Sequence, residues 1–142
     1  MTEEIQIPPI FKNEPISKRL VCGITFCLFP NRIFYVSIPK YYKITMDVVD
    51  EGYRFLNENG GGKFFNIFHF ASLADVDPEV REWAANPSGN NYTYSDAIVI
   101  DNLSQKILAD FYVRINKPVK PTKIFFSLEK AIRWSEIQME HH

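Results

Sequence analysis

His69, Asp75 and Asp77 are the residues of this 142-residue chain whose types and spacing come nearest to chemistry. An imidazole with a carboxylate beside it can exchange protons with a substrate, the acid orienting the ring. All three fall within His69-Phe70-Ala71-Ser72-Leu73-Ala74-Asp75-Val76-Asp77-Pro78, but spacing does not bring either carboxylate to the ring. His69 therefore reads first as a strand-end histidine with one hydrogen bond. A metal would need several clustered, deprotonated ligands. His69 is the sole histidine outside the closing His141-His142 pair, and no Cys-x-x-Cys spacing occurs. Neither a metal nor a cofactor is expected. Nucleophilic catalysis lacks its parts as well: there is no Gly-x-Ser-x-Gly elbow, and neither Cys22 nor Cys27 has a basic partner in sequence. Asn59-Gly60-Gly61-Gly62-Lys63 has phosphate-loop composition, but such a cradle needs a strand before it and a helix after it. Here a helical pattern precedes and an apolar run follows, so the glycines read as a helix stop. The expectation is a protein that is not an enzyme.

The elements that would position these residues are legible from periodicity. Residues 1–20 are polar and proline-punctuated, an arm laid over the domain or left loose. Gly23–Phe29 and Arg32–Ile38 read as two strands joined at Pro30-Asn31, antiparallel because the connection is short. Met46, Val49, Tyr53 and Leu56 fall three and four apart, one face of a helix capped by Thr45 and stopped by the glycines. Phe64–Phe70 is a nearly continuous apolar strand. Asp77-Pro78-Glu79 starts a short helix with a cap, a first-turn proline and an acid near the positive dipole end. Asn86–Asn91 is turn-rich, and Tyr92–Tyr94 is a short extended piece. Ala97–Ile100 is an apolar strand followed by a helix capped by Asp101 or Asn102. Leu103, Ile107, Leu108, Phe111 and Ile115 share a face of that helix, which Lys117-Pro118 ends. Lys123–Phe126 is a last strand, and Ser127 caps a last helix facing inward with Leu128, Ala131, Ile132 and Ser135. The order ββαβαβαβα predicts a mixed, mostly parallel α/β sheet with helices against it.

Composition narrows the setting. The hydrophobic share of 46% supports a packed core, and the net charge of −1 gives no basic excess for nucleic acid or an anionic membrane. No apolar run approaches the roughly 20 residues that span a bilayer. The acidic start, MTEEIQIPPIFKNEP, has no basic region ahead of an apolar core, so no signal peptide is expected. Cys22 and Cys27 lie five apart, on opposite faces of a strand, and are expected as buried free thiols in a cytoplasmic protein. Glu140-His141-His142 reads as a tag remnant, so residues 139–142 are set aside. One domain is expected over 21–138.

The stretch AIVIDNLSQKILADFYVRINKPVKPTKIFFSLEKAIRW resembles the closing half of bacterial SpoIIAA-like (STAS/SEC14-like) proteins of uncharacterised function. The matching positions are Ala97 to Ile100, Lys117-Pro118, Pro121-Thr122, Phe125 or Phe126, and Ala131 with Trp134. The resemblance spans Gly23 to Ile137. It implies an anti-sigma-factor-antagonist-like fold, an interaction module, and in some members a lipid or nucleotide ligand. In the antagonists a serine in an Asp-Ser-Ser-Gly-like loop is phosphorylated. Ser72 occupies the corresponding loop here without that context, so the resemblance does not carry a phospho-switch to this chain.

Two functions follow as expectations. The leading one is a regulatory protein–protein interaction module whose contact surface is the loop with Ser72, Asp75 and Asp77 together with the helix from Pro78 to Asn86. The other is binding of a small apolar or lipid-like ligand at the carboxyl ends of the strands, where α/β folds place ligands. His69, Tyr92, Tyr94, Asp101 and Asn102 are the pocket candidates, although capping alone accounts for Asp101 or Asn102, and packing over a sheet edge for the loop tyrosines. An enzyme comes third and would need a polar pocket holding His69 with Asp75 or Asp77. Homodimer formation through the hairpin or an aromatic helix face is a further expectation.

Overall fold

The computed structural model describes residues 5–86 and 91–142. Part of the expected arm (1–4) and most of the expected Asn86–Asn91 turn (87–90) lie outside the described residues. The chain forms β1 (Ser17–Val21), β2 (Ile24–Leu28), β3 (Ile33–Ile38), β4 (Lys43–Ile44), α1 (Met46–Glu58), β5 (Phe64–Phe70), β6 (Asp75–Val76) and α2 (Pro78–Ala85). Then come β7 (Thr93–Val99), α3 (Leu103–Phe111) continuing as a π-helical turn over Tyr112–Asn116, β8 (Thr122–Phe125) and α4 (Leu128–Met139).

The six-stranded sheet has the order β1-β2-β3-β5-β7-β8, with β2 antiparallel to both β1 and β3, and β3, β5, β7 and β8 parallel. This is the mixed α/β sheet that periodicity predicts. Strand alternation sends Phe34, Val36, Ile38 and Phe64 to one face, where they pack with Val48 and Phe55 of α1 and Val80 of α2. Ile33, Tyr35, Phe65, Ile67, Ala97 and Val99 go to the other face, under α4 and the arm residues Ile5, Ile7 and Phe11. Both faces are covered, which is why β5 is apolar nearly throughout.

Four expectations need correction. The arm ends earlier than expected: Ser17–Val21 pairs with β2 residue for residue, from Ser17 opposite Leu28 to Val21 opposite Ile24. Its polar outer positions belong to an edge strand with one face open, which hides the strand pattern. Cys22 is exposed rather than buried, because it sits with Gly23 in the hairpin turn at φ 52°. Tyr92–Tyr94 and Ala97–Ile100 belong largely to one strand, with a bulge where Phe64 and Phe65 pair with Thr93 and Ser95.

The fourth correction concerns α3. Its apolar row points to solvent: Leu103, Ile107, Leu108, Phe111 and Ile115 are between 46% and 68% exposed. Gln105, Ala109 and Tyr112 face inward instead. Gln105 sets the rotation. Its Nε2 donates to the carbonyls of Ala71 at 2.7 Å and Ala74 at 3.2 Å, and its Oε1 accepts from the Asp101 N–H at 2.7 Å. Backbone groups beneath a helix need partners more than an edge helix needs to bury leucine.

The glycine stop after α1 is as expected, with Gly60, Gly61 and Gly62 all at positive φ. Arg32 ties that loop down, its Nε donating to Lys63 O at 2.8 Å and its Nη2 to Gly61 O at 2.9 Å. A side chain at Gly62 would come within 2.8 Å of that guanidinium.

Candidate ligand cavity

The sheet face under α1, α2 and α3 carries three buried polar residues, Asn66 of β5 with Thr93 and Asp96 of β7. Asn66 of β5 and Asp96 of β7 are direct cross-strand partners, 6% and 5% exposed. Asn66 Nδ2 donates to Asp96 Oδ1 at 3.0 Å and to Thr93 Oγ1 at 3.0 Å, which engages both of its hydrogens. Asn66 Oδ1 is buried and meets no partner among the described residues.

These residues form the floor of a cavity of about 200 Å³ between the sheet and the helices. Phe26, Phe34, Val36, Val48 and Val49 make one end apolar, and Tyr53, Trp83 and Tyr92 make an aromatic wall. The Tyr53 and Tyr92 rings stack at 4.1 Å, and Trp83 meets Tyr53 edge-on at 5.3 Å. Tyr53 Oη is buried with no partner among the described residues. Tyr112 closes the cavity from the π turn, while partly exposed Arg81, Ala84 and Leu108 place the opening between α2 and α3.

Electrostatics single out the floor. Burial pushes the Asp96 carboxyl up to about 6, against the opposing pull of the Asn66 hydrogen bond. Burial, then the neighbouring Tyr92 and Asp96, hold the Tyr53 hydroxyl well above the usual tyrosine range. Tyr112 is raised by burial and by Asp96. Arg81 lines the mouth but is engaged, donating to Val76 O at 3.0 Å and lying 3.8 Å from Asp75 Oδ1.

The residues singled out in the sequence are distributed differently. Of the five pocket candidates, Tyr92 lines this cavity. Tyr94 points to the opposite face, stacked on Phe65 at 4.9 Å and beside His142 at 4.4 Å. His69 also faces that side, with Tyr35 Oη 2.7 Å from its Nδ1. Burial lowers the histidine pKa, against the opposing charge of Asp101, and pushes Tyr35 up to about 12. A hydrogen bond joins the tyrosine hydroxyl to the imidazole, its direction set by the histidine tautomer.

Asn102 is the cap of α3, its Oδ1 accepting from Gln105 N at 2.9 Å. Asp101 accepts a hydrogen bond from the Ser72 hydroxyl. Asp77 holds the N-cap position of α2 without a side-chain cap bond, and its N–H donates to Ile44 O at 2.9 Å. Asp75 borders the cavity mouth. Ser72, Asp101, Asn102 and Gln105 thus form one polar latch at the carboxyl ends of the strands, separate from the cavity floor. Among the described residues no group of three or more His, Cys, Asp or Glu is placed to hold a metal ion.

Asn66, Asp96, Tyr53 and Tyr112 were not among the residues that sequence reasoning marked. A signal existed for two of them. Asn66 interrupts Phe64-Phe65-Asn66-Ile67-Phe68, and Asp96 precedes Ala97-Ile98-Val99-Ile100, each a polar residue inside a buried strand.

No curated protein and no solved structure matches the chain. Residues 27–137 match the family model described as a domain of unknown function (DUF7793), and with most of its length matched the chain belongs to that family.

Proposed function

We propose that this protein binds a small, largely apolar molecule in the cavity between β5, β7 and the helices α1 to α3. The observation that supports this reading most directly is the floor: a buried Asn66–Asp96 pair at the base of an apolar, aromatic-walled cavity. A void of that size in a core costs on the order of 5 kcal/mol by the rule for engineered cavities, and somewhat less where it opens to solvent. A fold keeps such a space, with a buried carboxyl in it, where something is bound there. Cavities of about 150 Å³ take a benzene-sized molecule, so this one suits a ligand on the order of ten non-hydrogen atoms.

Native mass spectrometry of freshly purified protein, followed by titration of small apolar probes read by Trp83 fluorescence, tests the reading. A retained small molecule, or saturable quenching that is lost in Trp83→Phe, supports it. A bare mass together with no saturable response to any probe overturns it.

A second reading keeps the regulatory interaction module of the SpoIIAA/STAS-like kind. The observation favouring it is the latch, in which Ser72 and Gln105 hold the Ala71–Asp77 loop in one shape on the surface. Replacing Ser72 with Glu sets a second carboxylate against Asp101 and releases that loop. A partner list from cell extract that is the same for Ser72→Glu and the unchanged protein counts against this reading.

A further inference from the structure

The chemistry of the cavity floor says what kind of polar group the ligand carries. Both Nδ2 hydrogens of Asn66 are already committed to Asp96 and Thr93. What the floor presents to the cavity is the Asp96 carboxyl. Asn66 Oδ1 and the Tyr53 hydroxyl have no protein partner among the described residues, but both atoms are fully buried. A ligand group that only accepts hydrogen bonds would set its own lone pairs against the carboxyl.

Charge points the same way. Three charged side chains line the cavity among the described residues: Asp75, Arg81 and Asp96. Arg81 is at the mouth and neutralised by Asp75, so the floor itself carries one negative group and no positive one. The walls beside it are the faces and edges of Tyr53, Trp83 and Tyr92. Aromatic faces attract cations within about 6 Å of the ring centre. A carboxyl and an aromatic wall together are complementary to an ammonium group that still has hydrogens to donate.

Resting on the ligand-binding reading above, we infer that the cavity takes a small apolar primary amine, its protonated nitrogen seated against the Asp96 carboxyl. The nitrogen donates to that carboxyl, and the hydrocarbon part of the ligand fills the end lined by Phe26, Phe34 and Val48. A quaternary ammonium would satisfy the charge but has no hydrogen to donate to the carboxyl. A carboxylic acid would bring a second anion to the floor.

The acidity of Asp96 makes this seat responsive to pH. The other titratable groups around it are Tyr53 from α1, Arg81 from α2, Asp75 from β6, Tyr92 before β7 and Tyr112 from the π turn. Burial keeps Tyr53 and Tyr112 neutral well into alkaline solution. Asp96 is the group at the seat that changes charge near pH 6.

The test uses the full chain and four probes of matched size: 2-phenylethylamine, 2-phenylethanol, 3-phenylpropanoate and ethylbenzene. Binding is measured by calorimetry and Trp83 fluorescence at pH 7.5 and pH 5. The amine is expected to bind at least tenfold tighter than ethylbenzene and 3-phenylpropanoate at pH 7.5, with the alcohol between them. Its advantage over ethylbenzene shrinks several-fold at pH 5. In Asp96→Asn the advantage falls below about threefold while ethylbenzene binding persists, which shows that the cavity is still formed. Equal binding of amine and ethylbenzene, or tighter binding of 3-phenylpropanoate, overturns the amine assignment and leaves the cavity reading standing. Failure of all four probes to bind overturns both.

Discussion

Asn66 Nδ2 lies 3.0 Å from Asp96 Oδ1, a polar pair in register on two neighbouring central strands. Every other large residue that the same face of β5 presents is phenylalanine. A carboxyl in such a place is costly when ionised, and a single amide donor recovers part of that cost. The pair is thus destabilising for the fold at neutral pH while being the most polar feature of the cavity. That combination is what the ligand-binding proposal rests on.

Asp96→Asn is expected to stabilise the protein at pH 8. The carboxyl pKa stands at about 6 in the folded chain, above the ordinary 3.8, so the folded state holds more protons between those values. Its contribution to stability is full below about pH 4, declines as pH rises through 6, and is a constant penalty beyond. A shift of this size corresponds to about 1–3 kcal/mol. Urea denaturation should show the variant gaining that much at pH 8 and little at pH 4. Equal stability of the two proteins at both pH values would refute the buried-carboxyl account.

Gly52→Ala should raise stability by about 1 kcal/mol. Gly52 lies inside α1 and lines the cavity, and an added methyl would meet the Phe26 ring at 3.8 Å, an ordinary contact. The helix gains its propensity and the cavity loses a little volume. A thermal melt that moves down instead would mean that α1 sits closer to the sheet than described.

The rotation of α3 predicts opposite responses from neighbouring positions. Leu103→Gln and Ile107→Gln, both at exposed sites, should change stability by less than about 0.5 kcal/mol each. Gln105→Ala takes the side-chain partner from the Ala74 carbonyl and the Asp101 N–H and one of two donors from the Ala71 carbonyl, and should cost about 1–3 kcal/mol. If the leucine and isoleucine substitutions prove the costly ones, α3 packs by its apolar row after all.

The two thiols should separate cleanly. Cys22 lies exposed in the β1–β2 turn, and Cys27 is buried in β2 with its thiol pushed up to about 11 by burial, against the opposing pull of Lys18. One equivalent of a thiol reagent is expected to react quickly at pH 8, and the second only in denaturant. Rapid reaction of both in the native protein would show that β2 opens readily.

Much of the architecture was readable in advance. The hairpin of β2 and β3, the glycine stop after α1, the proline start of α2 and the serine cap of α4 each rest on a local rule, and each appears where its residues place it. Edge strand β1 escaped notice because an edge needs only half a hydrophobic pattern. The cavity escaped because the residues that make it are far apart in sequence. Asn66 and Asp96 are thirty positions apart and meet only through the β5–β7 register.

The amino-acid order by itself determined the α/β class and the helix termini, since caps, prolines, glycines and apolar periods act over a few residues. Which face α3 turns inward was decided by tertiary structure. Its apolar row predicted burial of Leu103 and Ile107, but the carbonyls of Ala71 and Ala74, supplied by a loop some thirty residues away, demanded the Gln105 amide instead. The same holds for the cavity floor. Hydrogen bonds and desolvation act between groups brought together by the sheet register, and no local window of sequence contains both partners.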